Sequence, residues 1–337
     1  MSWLARALGA LVALGVVASI AIGGCHSTAE EHPPPTAAAV SHREAARVLS
    51  GYAAAARTIT RPRDADRIPR VMSGPIAAVT TGRLKIDAFG RHKRSGGRSA
   101  VPTPSGAYVR PAFWIPRHTE HEPWFVASAG RTGAAGRELL LFTRTGDRTP
   151  FTAAYVIRLD PGTRLPKVRG GEHPRAVAVT DGRLAVRPDA LATAHASIEQ
   201  NGPQAAAAAS FEPSEWTTAA HATDNDDRRT ARKSGFAYRR AYQDSGYPEY
   251  ALGTGDGGAL VWYAVTDELS VTQDDPSIAR APLKLSAGLA GVVGARRVRR
   301  AFQAVSVHQY LAYVPPRGRG KVRILASAGG PVGGVGH

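Results

Sequence analysis

Apolar positions along this chain change their spacing several times, and each change marks a predicted element. An uncharged apolar run, Ala7 to Gly24, stops at Cys25, and a polar stretch carrying Pro33-Pro34-Pro35 follows to Val40. Helical spacing then takes over. Ala45, Val48, Leu49, Tyr52, Ala56 and Ile59 share one face, and Ser41 with Glu44 three residues on forms a capping box. Pro62 ends this helix, and Ser73-Gly74-Pro75 starts a shorter one bearing Ile76, Val79 and Leu84. Strand-like runs come next, at Ala112 to Ile115, Trp124 to Ser128, Glu138 to Arg144 and Phe151 to Leu159. Short glycine-bearing turns join them, which predicts an antiparallel meander.

The second half repeats this order. Arg175 to Val179 and Leu184 to Val186 flank Thr180-Asp181-Gly182 and read as a hairpin or paired connector. Pro188 opens and Asn201-Gly202 closes a helix with Leu191, Ala194 and Ile198 on one face. The mixed-charge stretch Ala219 to Gln243 reads as partly helical and mobile. Strands return at Tyr250 to Thr254, Ala259 to Thr272, Val305 to Pro315 and Lys321 to Ser327, before a glycine-rich end. The expected fold is α+β, with helices packed on antiparallel sheets and the two halves built to a similar plan. The expected organisation is residues 1–24, a tether 25–40, domains 41–175 and 176–328, and a flexible tail 329–337.

The first 25 residues resemble a bacterial lipoprotein signal peptide. Arg6 supplies the positive start, and Ile22-Gly23-Gly24-Cys25 resembles a lipobox, with Ile and Gly where Leu and Ala or Ser are commonest. The resemblance implies that Cys25 is acylated and becomes the mature N-terminus. The chain would then sit on the extracytoplasmic face of the cell membrane, held by a diacylglyceryl anchor. An uncleaved anchor and an ordinary secretory signal are the competing readings, and both keep the bulk outside the cytoplasm. Cys25 is the only cysteine, so once acylated it leaves no thiol for a disulfide, a metal site or a nucleophile.

Charge narrows the partners. The net charge is +16, from 37 arginines and six lysines among the basic residues. An Arg and Ala excess of this kind suits a GC-rich genome, so part of it can be coding bias. Outside the cell, such a surface meets anionic lipid or envelope polymers, or another envelope protein, rather than nucleic acid. Among the basic runs, Arg296, Arg297, Arg299 and Arg300 lie beside the apolar Ala287 to Val293 and are the candidate polymer contact. Arginine suits phosphate because its planar fork meets two oxygens at once.

Motifs with chemistry are few. Gly253-Thr254-Gly255-Asp256-Gly257-Gly258 matches G-x-G-x-x-G, but a β-rich run follows it, so it is a hairpin turn. His118, Glu120, His121 and Glu122 are metal-ligand types bracketed by prolines, which fits a solvated loop better than a site. Asp224 to Asp227 lacks the ligands and glycine of a calcium loop. No catalytic, cofactor-binding or metal-binding residue is assigned, and no cofactor is expected. Phe113-Trp114, Trp124-Phe125 and Trp262-Tyr263 should each bury one ring in the core, and a pocket between helix and sheet is the alternative use.

Val71 to Ala78, Phe113 to Pro116, Trp124 to Ala127, Leu140 to Arg144, Tyr250 to Val261 and Tyr313 to Pro316 resemble an uncharacterised actinobacterial lipoprotein family. The resemblance implies address and architecture rather than an activity. The expected role is binding or scaffolding at the envelope; the alternative is a small-molecule binder or hydrolase with a helix–sheet pocket.

Overall fold

The computed structural model describes residues 40–92, 106–117, 122–146, 148–171, 174–275 and 281–337; Cys25 and nearly all of the tether lie outside them. Helix α1 (His42–Thr58) starts where Ser41 Oγ accepts the Glu44 N–H at 3.2 Å. A 3₁₀ segment, Pro62–Arg70, leads to α2 (Gly74–His92). Strands β1 (Tyr108–Trp114), β2 (Trp124–Arg131), β3 (Ala134–Thr143) and β4 (Thr152–Leu159) then form an antiparallel meander in that order.

The remaining elements are α3 (Pro188–Asn201), α4 (Thr218–Lys233), β5 (Phe236–Asp244), β6 (Tyr250–Gly253) and β7 (Ala259–Gln273). They continue through β8 (Leu283–Lys284), α5 (Ala287–Val293), β9 (Arg297–Val298), β10 (Ala301–Val314) and β11 (Arg323–Gly336). The second sheet runs β11-β10-β7-β5 with β6 also on β7, and β8 pairs with β9 separately. The fold is α+β, with helices on antiparallel sheets.

Strand parity stacks these parts in four layers. Leu49, Tyr52, Ile76 and Leu84 of α1 and α2 cover Phe125 and Phe142, whose neighbours Val126 and Leu141 face the other way. Those outward residues meet Leu260, Trp262 and Leu311 of the second sheet. On the far face of that sheet, Tyr263, Val265 and Tyr310 receive Leu191 and Ile198 of α3. Trp262 and Tyr263 thus point to opposite faces, as period two requires, but both are buried where the sequence predicts one of the pair, because each face of the sheet carries a core; the same holds for Trp124 and Phe125. Each such fully buried side chain contributes on the order of 2 kcal/mol.

Three expectations change here. The sheets share a core, and residues 37–337 form one compact unit, so residue 175 marks a passage between sheets rather than between domains. Of the two readings of 175–186, the structure keeps the paired connector and not the hairpin: Ala176 pairs with Leu252 and Leu184 with Pro316. The glycine-rich end is no flexible tail: β11 runs to Gly336, which lies opposite Phe302 on β10. Its glycines let helices approach closely. The converse holds at Gly82 on α2, where an added Cβ would run into Pro331 O and Val332 Cα of β11.

Gly82→Ala should therefore destabilise by about 1–3 kcal/mol, because backbone cannot swing aside. Gly51→Ala, on α1 with nothing within 4 Å of the new Cβ, should stabilise by about 1 kcal/mol. Urea unfolding of the two variants checks the contrast; equal effects would contradict the close α2–β11 contact.

Candidate ligand-binding site

A cleft of ≈ 750 Å³ opens where α4 and α5 approach β5, β7, β10 and β11. Leu269, Val271, Leu285, Leu289 and Phe302 give it an apolar side; Glu199, Arg240, Asp267, His308 and Tyr310 give it a polar one. The polar side follows from strand register. Asp267 lies between Tyr242 on β5 and Ser306 on β10, so Arg240 and His308 are its diagonal neighbours. Long side chains reach across such diagonals. Arg240 Nε stands 3.2 Å from Asp267 Oδ1, and His308 Nε2 stands 3.1 Å from Oδ2. Burial works to raise the Asp267 pKa, but the His308 hydrogen bond and the charges of His308 and Arg240 outweigh it and hold the carboxyl below its ordinary range.

The web continues into α4. Arg240 Nη1 lies 3.4 Å from Asp224 Oδ1, which also accepts the Tyr238 hydroxyl at 2.7 Å, while Arg228 binds Oδ2 at 3.1 Å. Asp224 is only 2% exposed. The stretch 219–243, read as partly helical and mobile, is indeed helical in its first part but continues as a strand, and a buried carboxylate pins the two together. Calcium has no call on Asp224, whose oxygens already face cations.

Helix α3 adds two buried ionisable groups one turn apart. His195 Nε2 faces the Trp216 carbonyl at 2.5 Å, so Nε2 carries the proton and Nδ1 accepts the Tyr263 hydroxyl at 2.8 Å. Burial drops the His195 pKa to about 4, so it is neutral. Glu199 Oε1 accepts the Tyr310 hydroxyl at 3.2 Å. Burial lifts the Glu199 pKa to about 7, against the opposing charge of His308 and the Tyr310 hydrogen bond.

Three buried atoms of this site have no hydrogen-bond partner: Glu199 Oε2, Arg240 Nε and Asp267 Oδ1. The last two attract as charges but are not aligned to bond. Unused buried polar atoms are costly, on the order of 1–3 kcal/mol each, and a ligand that bonds them recovers that cost. Two acceptors and one donor, beside an apolar wall, suit a small molecule with a polar head and an apolar body. Among the described residues, no group of three or more His, Cys, Asp or Glu could hold a metal.

The residues singled out by sequence lie elsewhere. Arg296, Arg297, Arg299 and Arg300 are exposed around β9; Arg296 and Arg297 edge a cavity of ≈ 300 Å³ with Phe89 and Leu285, which Arg299 and Arg300 do not line. His118, Glu120 and His121 fall outside the described residues, and Glu122 accepts the Thr145 hydroxyl at 3.2 Å. Gly253 to Gly258 is the β6–β7 hairpin turn, closed by Thr254 N–H to Gly258 O at 2.8 Å. Sequence reading missed Arg240, Asp267, His308 and Glu199. Two signals were present: an acid at a buried parity position in a strand, and His195 with Glu199 on the apolar face of α3.

Comparison with known proteins gives a family without an activity. The family described as Domain of unknown function (DUF8094) matches residues 36–333. The chain is 28% identical over 292 residues to a protein of Streptomyces avermitilis named "Uncharacterized lipoprotein", covering 81% of this chain and 80% of that one. A protein of Streptomyces coelicolor, also named an uncharacterized lipoprotein, is 27% identical over 264 residues, covering 74% of this chain and 73% of its own. No solved structure matches.

Glu199→Gln should separate the buried acid from the rest of the web. The folded-state pKa of Glu199 lies above its unfolded value of 4.5, so the folded state binds more protons between pH 4.5 and about 7, and stability falls as pH rises through that window. Gln carries no such penalty. Relative to wild type, the variant should gain on the order of 2–3 kcal/mol between pH 5 and pH 8 in denaturant unfolding. An unchanged difference at the two pH values would refute the buried-acid assignment.

Proposed function

The chain belongs to the DUF8094 family of actinobacterial lipoproteins, and we propose that it is a membrane-tethered binding protein that holds a small amphipathic molecule. The observation that carries this reading is the cleft over the second sheet, where one ligand-sized space has an apolar wall and a polar wall built of Glu199, Arg240, Asp267, His308 and Tyr310. The polar groups are already fixed, Arg240 and His308 on Asp267 and Glu199 on the Tyr310 hydroxyl, so a ligand would meet a prepared site and lose little to ordering. This favours a pocket between helix and sheet over a flat scaffolding surface. Binding rather than turnover is the economical role, because Asp267 and His308 spend their interactions on each other and on Arg240.

The address rests on Cys25. Its acylation would place a diacylglyceryl anchor at the membrane, with residues 25–40 as the spacer and the folded unit on the extracytoplasmic face. No helix among the described residues is long and apolar enough to cross a membrane.

Two experiments test the halves separately. Cys25→Ser should move the protein from the membrane fraction to the soluble fraction; unchanged partitioning would remove the lipid anchor. For the cleft, full-length protein is purified from its own membranes, and bound small molecules are extracted and identified by mass spectrometry. Ala220→Phe, on the cleft-lining face of α4, should lower their occupancy about tenfold while leaving the melting temperature near wild type, a loss of about 1.4 kcal/mol in binding. Equal occupancy in the two proteins, or no bound molecule in either, would overturn the reading.

A further inference from the structure

A second and larger cleft, ≈ 990 Å³, shares no lining residue with the first. It is bounded by the 175–184 segment, the β6–β7 turn and the connection from β10 to β11. Arg117, Arg169, Arg175, Arg183 and Arg319 line it, and all five are exposed. They come from three stretches of chain, around Arg117, from Arg169 to Arg183 and around Arg319, and backbone bonds hold them in place. Arg117 and Arg175 are partners in a parallel β-bridge. Arg169 N–H bonds Gly253 O at 2.9 Å, and Gly253 N–H returns a bond to Arg175 O at 3.0 Å, so two arginines clasp one residue of β6. Arg319 N–H bonds Pro316 O at 3.0 Å.

The fold thus gathers like charges that repel one another. The cleft offsets them only in part. Asp181 pairs with Arg183 at 2.6 Å and also feels the charge of Arg175, and Asp256, kept ionised by the Thr254 and Tyr313 hydroxyls, adds one further negative charge against five arginines. Burial lifts the Glu249 pKa to about 7, so that carboxyl contributes less than a full negative charge near neutrality. Arg117, Arg169, Arg175 and Arg319 have no carboxylate partner among the described residues. A concave wall of unpaired guanidinium groups focuses a positive potential into one space.

We infer that this cleft is an anion-binding site for a ligand carrying two or more phosphate groups. A phosphate presents oxygens in several directions at once, which suits guanidinium groups arriving from several sides; each fork binds two oxygens. The four arginines around β9 come from one short stretch of chain; Arg296 and Arg297 edge only the smaller cavity of ≈ 300 Å³, and Arg299 and Arg300 line neither.

The test must separate a built site from the general attraction of a strongly basic protein. Inorganic tripolyphosphate is titrated calorimetrically into the full chain, into Arg169→Ala/Arg175→Ala and into Arg299→Ala/Arg300→Ala. The two double variants carry the same net charge. The cleft variant should lose about tenfold or more in affinity and the Arg299/Arg300 variant less than about twofold, with melting temperatures near wild type. Arg117→Ala alone should reproduce part of the loss and guards against a folding defect in the double variant. Cardiolipin vesicles, whose headgroup carries two phosphates, form a second arm: recruitment that depends on Arg169 and Arg175 without tripolyphosphate binding would identify the ligand as a lipid headgroup and uphold the site. Equal losses in the two double variants, or no dependence on the cleft in either arm, would overturn the inference.

Discussion

A carboxylate in the middle of a strand, Asp267, sets the terms for the second sheet. Only 3% exposed, it is tolerable there because Arg240 and His308 reach it from the strands on either side. Removing one partner of such a group leaves an uncompensated buried charge, a loss of about 3–5 kcal/mol. The constraint propagates: Arg240 also faces Asp224, which holds α4 against β5 through Arg228 and Tyr238. One acid thus fixes the spacing of three strands and the helix over them. The cleft is the space left beside that helix, and its polar floor is the part of the web that internal bonds do not use up.

Most elements were legible in the chain because their signals are local. Ser41, Pro62, Gly74 and Pro188 mark helix boundaries that the structure keeps, while the alternation at Trp262-Tyr263 gives two opposed faces but not that both are buried. The failures concern pairing and composition. Residues 175–186 have hairpin spacing, yet their partners lie near Leu252 and Pro316, a choice made by distant strands. Glycine in the last residues suits both flexibility and close packing; β10 beside it and α2 and α5 above it decide for packing.

The site was harder to read than the fold for a related reason. Glu199, Arg240, Asp267 and His308 come from one helix and three strands, so no spacing joins them. Charge clusters in sequence drew attention to Arg296–Arg300, which the fold spreads along an exposed ribbon. The arginines it concentrates, from Arg117 to Arg319, are scattered in sequence. Coding bias can explain how many arginines the chain has; it does not explain why backbone bonds collect five around one concavity. The two clefts ask for different chemistry, one amphipathic and one anionic, on a single folded unit.

The most direct test of the central claim is a high-resolution crystal structure of the full-length protein purified from its own membranes, with no ligand added. The account predicts non-protein density between α4, α5 and the second sheet, with a polar atom within hydrogen-bonding distance of Glu199 Oε2 or Asp267 Oδ1. A cleft closed by side-chain movement, with both oxygens bonded to protein groups, would contradict it.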